Sequence, residues 1–172
     1  MSELRYSKVR DVKSPQRANP TDAGMDMFVP KFNKEFQEAF DEKNNVNVSW
    51  LTGVNNNSHI CIPPGGRACI PSGCHFDIEE GYALIANNKS GVATKYGLVF
   101  GAAVCDSDYQ GEVHISLINT SNENVYLKAG QKIIQFLYMP VRLDTPTEVP
   151  FEELYSDETA RGAGGFGSTG EK

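Results

Sequence analysis

From residue 59 onward, turn residues cut the chain into short pieces roughly every ten positions, the spacing of strands in a sandwich or barrel. Ile60 and Ile62 end at Pro63-Pro64-Gly65-Gly66, and Ala68, Cys69 and Ile70 end at Pro71-Ser72-Gly73. Phe76 and Ile78 end at Glu79-Glu80-Gly81, and Tyr82 to Ala86 precedes Asn87-Asn88. Residues 112–119, 124–128 and 132–139 continue the pattern. No strand–helix–strand alternation appears, which argues against a parallel nucleotide-binding sheet and its Gly-rich phosphate fingerprint. The predicted class is all-β, a distorted jelly-roll or β-barrel-like subunit.

The first third reads differently. Residues 3–12 mix Leu4, Tyr6 and Val9 with charges, as an edge strand does, and Ser14 to Pro20 then breaks regular structure. The next short strand carries Asp26 between Met25 and Met27, so the carboxylate either faces outward by alternation or has a task of its own. Over Lys31 to Lys43 the period changes: Phe32, Phe36, Ala39 and Phe40 share one face of a helix, predicted to be the one substantial helix. Asn44 to Ser58 follows as a polar, asparagine-rich loop, with Trp50 expected to pack on that helix.

At 172 residues with a formal charge of −6, the chain is the size of one domain and is poorly suited to wholesale binding of nucleic acid or an anionic membrane. No run approaches the roughly 18 apolar residues of a membrane span, and Met1 to Arg5 lacks a signal-peptide core, so a soluble, cytoplasmic protein is expected. Four cysteines without a Cys-x-x-Cys pair are expected reduced. His59, Cys61, Cys69, Cys74 and His75 crowd one region, but their spacings match no zinc pattern, and packed strand cysteines are the better reading.

Two stretches carry chemistry. In Gly101 to Glu112, small residues lead into Val104 and Cys105, and an acidic turn with Asp106, Asp108, Tyr109 and Gly111 leads into alternating Val113, His114, Ile115, Ser116 and Leu117. Taken alone, this is also what a solvated hairpin tip looks like. Arg161 to Gly170 holds five glycines in ten residues, the composition of a disordered tail, yet includes an arginine for an anion, Phe166 for stacking, and Ser168 and Thr169 for phosphate oxygens.

Together these stretches resemble the homotrimeric dUTP diphosphatases, all-β enzymes with short ordered motifs. The matching residues are Ala23-Gly24-Met25-Asp26, Lys89-Ser90-Gly91, Val104 to Glu112, Gly130-Gln131-Lys132-Ile133-Ile134-Gln135, and Arg161 to Gly170. Lys89 stands where the family usually has arginine, keeping the charge but losing the planar fork; Met25 and Cys105 replace a usual tyrosine and isoleucine. Residues 31–58 exceed the usual connection and look like an insertion within a 1–160 domain, with 161–172 as a flexible C-terminal arm closing over the site.

The resemblance implies hydrolysis of dUTP to dUMP and diphosphate, which keeps uracil out of DNA. It makes Asp106 the base that activates water for attack on the α-phosphorus. It assigns Lys89, Ser90, the Gly91 amide and Gln135 to phosphate oxygens, and Arg161, Ser168 and Thr169 to the β and γ groups. Phe166, beside Gly167, would stack on uracil, and backbone groups at Ala103, Val104 and Cys105 and near His114 would read its edge. Tyr109 would exclude a ribose hydroxyl. Mg²⁺ would bridge the triphosphate and meet Asp26 only through water, and sites would form between subunits of a homotrimer. The rival readings are a dCTP deaminase on the same fold, or an interaction protein that binds a partner through 31–58. A jelly-roll coat domain leaves the glycine-rich arm unexplained.

Overall fold

The structure, a computed structural model, describes residues 3–44, 49–51 and 58–164, with 49–51 described by backbone alone. The chain divides into two compact units, Met1–Arg142 and Leu143–Lys172. In the first unit the strands are β1 (Arg5–Lys8), β2 (Met25–Phe28), β3 (Ser49–Leu51), β4 (His59–Ile62), β5 (Arg67–Pro71), β6 (Cys74–Asp77), β7 (Tyr82–Asn87), β8 (Leu98–Phe100), β9 (Val104–Cys105), β10 (His114–Asn119), β11 (Val125–Leu127) and β12 (Lys132–Pro140). Two helices interrupt them, α1 (Lys34–Lys43) and α2 (Ser90–Tyr96). The second unit holds one helical turn, α3 (Phe151–Leu154).

The strands form four small sheets in the orders β1-β6, β5-β10-β8, β11-β4-β3 and β2-β12-β7-β9, with every pairing antiparallel. The alternation predicted for β10 is present: Ile115 and Leu117 are buried while Ser116 and Ile118 are half-buried. Side chains from all four sheets meet in one hydrophobic cluster, among them Met27, Ile60, Ile70, Phe76, Leu84, Ile115, Leu127 and Ile134. The all-β prediction describes this unit.

Three local features depart from expectation. The acidic turn does not close a hairpin: β9 pairs with β7, whereas β10 pairs with β5 and β8, so the turn carries the chain between sheets. Part of the expected Asn-rich loop is the strand β3, paired with β4 through Trp50↔Ile60; the Trp50 side chain, and hence its packing, lies outside what is described. The second helix, α2, was concealed by poor helix formers in Ser-Gly-Val-Ala-Thr-Lys-Tyr. Its ends hold it instead. The Lys89 carbonyl accepts from the Val92 and Ala93 amides, each at 2.9 Å, and Gly97 takes the left-handed φ of +65° that closes the helix.

Helix α1 begins three residues later than its hydrophobic period because Asn33 caps it, Oδ1 accepting from the Phe36 amide at 2.9 Å. Its inner face is part of the core. Phe36 is wholly buried and Phe40 nearly so, their rings stacked at 5.9 Å. Asn44, at the far end, pairs with backbone like a short strand: Oδ1 accepts from the Cys69 amide at 2.7 Å and Nδ2 donates to the Cys69 carbonyl at 2.8 Å. The four cysteines are free thiols. Among the described residues, no helix is long and apolar enough to cross a membrane.

These contacts make α1 a structural element, although it lies in the segment expected to be an insertion. Phe36→Ala is expected to cost about 3–5 kcal/mol, read from chemical denaturation; a loss below about 1 kcal/mol would mean that α1 is an appendage.

Candidate active site

Asp26 is the buried charge around which one cleft forms. It is 3% exposed, which excludes the outward-facing reading. Lys89 Nζ donates to Oδ1, and Lys132 Nζ lies 2.7 Å from Oδ2, although its angle leaves that oxygen without a well-directed hydrogen bond. Burial pushes the Asp26 carboxyl pKa up, but the ammoniums of Lys132 and Lys89 outweigh it and hold the pKa below the ordinary carboxylate value.

Strict alternation would put Lys132 and Gln135 on opposite faces of β12. The register between β12 and β2 shifts between Lys132 and Ile134, and Ile133 and Ile134 are both buried. This bulge turns Lys132 and Gln135 to the same side, with Gln135 directly opposite Asp26. Gly24 permits the approach: a Cβ there would sit 1.9 Å from Gln135 Oε1. Gln135 in turn donates from Nε2 to the Asn88 carbonyl at 2.8 Å. The resulting cleft, about 450 Å³, is lined by Asp22, Gly24, Asp26, Asn87, Lys89 and Gln135 among others. Ser90 and Gly91 follow Lys89 on the first turn of α2 and are exposed.

A second recess is lined by Val104, Cys105, Asp106, Tyr109, Val113 and His114. β9 lies at the edge of its sheet, so one side of its backbone is not used by the sheet; on the other side, the Ala103 carbonyl accepts from the Ala86 amide at 2.7 Å. Asp106 is exposed, and its carbonyl accepts from the Tyr109 amide at 3.2 Å. Tyr109 folds back over Gly111, where a Cβ would lie 2.5 Å from Tyr109 Oη, and its hydroxyl donates to the Glu112 carbonyl at 2.8 Å. His114 Nδ1 is also 2.8 Å from that carbonyl. Burial, with help from Asp106, pushes the Cys105 thiol up to about 11, so it packs as a neutral group and is no nucleophile near neutral pH.

The structure therefore brings Asp26, Lys89 and Gln135 together in one place, and Val104, Cys105, Asp106, Tyr109 and His114 in another. Arg161 donates from Nε to the Gly164 carbonyl at 2.7 Å within its own turn; Phe166, Gly167, Ser168 and Thr169 lie outside the described residues. Lys132 and Asn88 went unrecognised as site residues from sequence. The only cue for Lys132 was its nearness to Gln135, and without the bulge that nearness points the wrong way.

The fold has counterparts among solved structures. The dUTPase of Staphylococcus bacteriophage 80alpha with dUpNHpp superimposes with a TM-score of 0.71 at 21% identity, covering 99% of each chain. The deoxyuridine 5'-triphosphate nucleotidohydrolase of Rhizobium etli (strain CIAT 652) is 35% identical over 134 residues, 77% of this chain and 83% of that one. That of Wolinella succinogenes is 44% identical over 111 residues, covering 63% and 72%. The family model for dUTPase matches residues 54–170. This chain belongs to the dUTPase family.

A carboxyl pKa lowered by folding adds stability that is present above the unfolded value, about 4, and is lost as pH falls through the lower folded value. The stability gap between the protein and Asp26→Asn should accordingly be widest near pH 7 and narrow on acidification, as followed by urea denaturation across pH. A gap independent of pH would remove the ion pairs from the account.

Proposed function

We infer that the protein hydrolyses dUTP to dUMP and diphosphate. The observation that carries this reading is the pair of sites in a chain of the dUTPase family: a cationic cleft around Lys89 and Gln135, and a recess with Asp106 on its rim. In the recess, the free backbone edge of β9 offers donors and acceptors to a pyrimidine edge, as a neighbouring strand would use them. Cytosine exchanges a donor for an acceptor and would leave buried groups unpaired, a strong basis for rejection. Tyr109 occupies the space a ribose hydroxyl would need. Asp106 accepts the proton of the water that attacks the α-phosphorus.

In the cleft, the phosphate chain would draw Lys89 from Asp26, while Ser90, the Gly91 amide and Gln135 supply further hydrogen bonds. Lys132 remains beside Asp26, so the carboxylate keeps a cation when Lys89 moves. Mg²⁺, when bound with the nucleotide, neutralises charge on the triphosphate. The cleft offers it the carboxylate of Asp26, which already faces two ammoniums, so contact through water suits this donor set. Arg161, Phe166, Gly167, Ser168 and Thr169 of the 161–172 arm would provide the closing guanidinium, ring and hydroxyls.

The topology supports a site shared between subunits. Cys105 lies opposite Leu84, so Asp106 leaves the sheet beside Ala83, near the start of β7, whereas Lys89 follows the end of β7 at Asn87. The four residue steps from Ala83 to Asn87 span roughly 13 Å at the strand rise. That separation suits Asp106 and Lys89 of one chain serving different nucleotides. A homotrimer with three sites meets this requirement. A protein partner at 31–58 is a separate role: the outer face of α1 presents exposed Lys34, Glu38, Asp41 and Glu42, and because Phe36 and Phe40 are core, substituting those charges is the suitable probe of binding.

Assayed with Mg²⁺ against dUTP, dCTP, dTTP and UTP, the protein should release diphosphate from dUTP alone; ammonia from dCTP would move the reading to a deaminase. Asp106→Asn should bind dUTP yet lose turnover by at least about 100-fold. Co-refolding Asp106→Asn with Lys89→Ala, each inactive, should restore activity in about a quarter of sites if each site draws these groups from two chains. No recovery would place both groups in one chain's site.

A further inference from the structure

Outside the two recesses, one shielded polar cluster among the described residues centres on Glu112. Arg10 grips its carboxylate with both arms of the guanidinium, Nε to Oε1 and Nη2 to Oε2, each at 2.8 Å. The pair is largely shielded, the two side chains being 14% and 11% exposed. Oε1 also accepts from the Gly73 amide at 2.7 Å. The third arm of Arg10, Nη1, donates to the Glu35 carbonyl in the first turn of α1 at 3.0 Å. Glu112 thus faces two ways: its carboxylate is fixed from the N-terminal segment, and its carbonyl receives Tyr109 Oη and His114 Nδ1, each at 2.8 Å.

We propose that Arg10 is a positioning residue for sugar selection: through Glu112 it fixes the carbonyl that orients Tyr109, and through Glu35 it ties the inserted helix α1 to that setting. A planar fork is suited to this. Two parallel hydrogen bonds fix the carboxylate's rotation as well as its position, which a lysine ammonium cannot do. Apart from Arg10, Glu112 is held by the Gly73 amide at its carboxylate and, in the peptide plane that carries its carbonyl, by the Val113 amide, which donates to Cys74. With Arg10 removed these bonds remain but the fork that fixes the side chain's rotation is lost, so the carbonyl can tilt about the Val113–Cys74 bond, and the Tyr109 hydroxyl follows its acceptor. A small displacement there opens the space that excludes a ribose hydroxyl while leaving Asp106 chemistry in place.

The inference rests on Tyr109 acting as the sugar filter, so the test separates the two. The ratio of kcat/KM for dUTP to that for UTP is measured in the intact protein, Tyr109→Ala, Arg10→Met, Arg10→Lys, and Arg10→Met combined with Tyr109→Ala. Expected are a fall in the ratio of about tenfold in Arg10→Met, a smaller fall in Arg10→Lys, and no further fall when Arg10→Met is added to Tyr109→Ala. If Tyr109→Ala leaves the ratio unchanged, the filter itself is misassigned. If Tyr109→Ala lowers it but folded Arg10→Met does not, or the two falls multiply, the role of Arg10 is overturned. Should Arg10→Met fail to fold, the measurement moves to Arg10→Met/Glu112→Gln, which removes the stranded carboxylate and keeps an acceptor for Gly73.

Discussion

One buried carboxylate organises the cationic cleft of this molecule. Asp26 is enclosed on β2, and a lone charge there would cost several kcal/mol. Lys89 arrives from the end of β7 and Lys132 from β12, so three segments distant in sequence are held in place by one charge. Removing either cation leaves the carboxylate less compensated. On the proposed function, the arrangement also suits substrate capture, because a triphosphate would offer Lys89 a richer partner while Lys132 stays beside Asp26.

The second recess is built on hydrogen-bonded backbone. β9 has only two residues and is positioned by its pairing with β7; the turn after it is shaped by the Tyr109–Glu112 bond and the close approach of the ring to Gly111. The small side chains before β9 leave its outer edge approachable. β7 separates the two recesses, with the acidic turn near one end and the Lys89-Ser90-Gly91 turn beyond the other.

What could be read in advance was whatever depended on local pattern. Short strands punctuated by Gly, Pro and Asn revealed the all-β class, and the Phe32-Phe36-Phe40 period revealed α1. The stretches around Gly24, Lys89 and Gln135 pointed to residues that line one cleft, and the stretch around Asp106 to a second recess. What stayed hidden depended on partners remote in sequence. α2 has poor intrinsic propensity and no side-chain N-cap, and is closed at its far end by Gly97 in the left-handed region. β3 is a strand because β4 lies beside it. The burial of Asp26 was ambiguous because a carboxylate between methionines fits an outward-facing residue equally well, and only Lys132 on a neighbouring strand decides it. Likewise, nothing near Glu112 in sequence points to Arg10.

The bulge in β12 has a consequence for how this site can change over time. Because Lys132 and Gln135 face the same way only by virtue of one surplus residue between them, the site depends on residue number as well as residue type. Flattening the bulge with all residues kept would return them to opposite faces, with every side chain individually retained. Substitutions that preserve the bulge can drift through this strand; those that straighten it cannot.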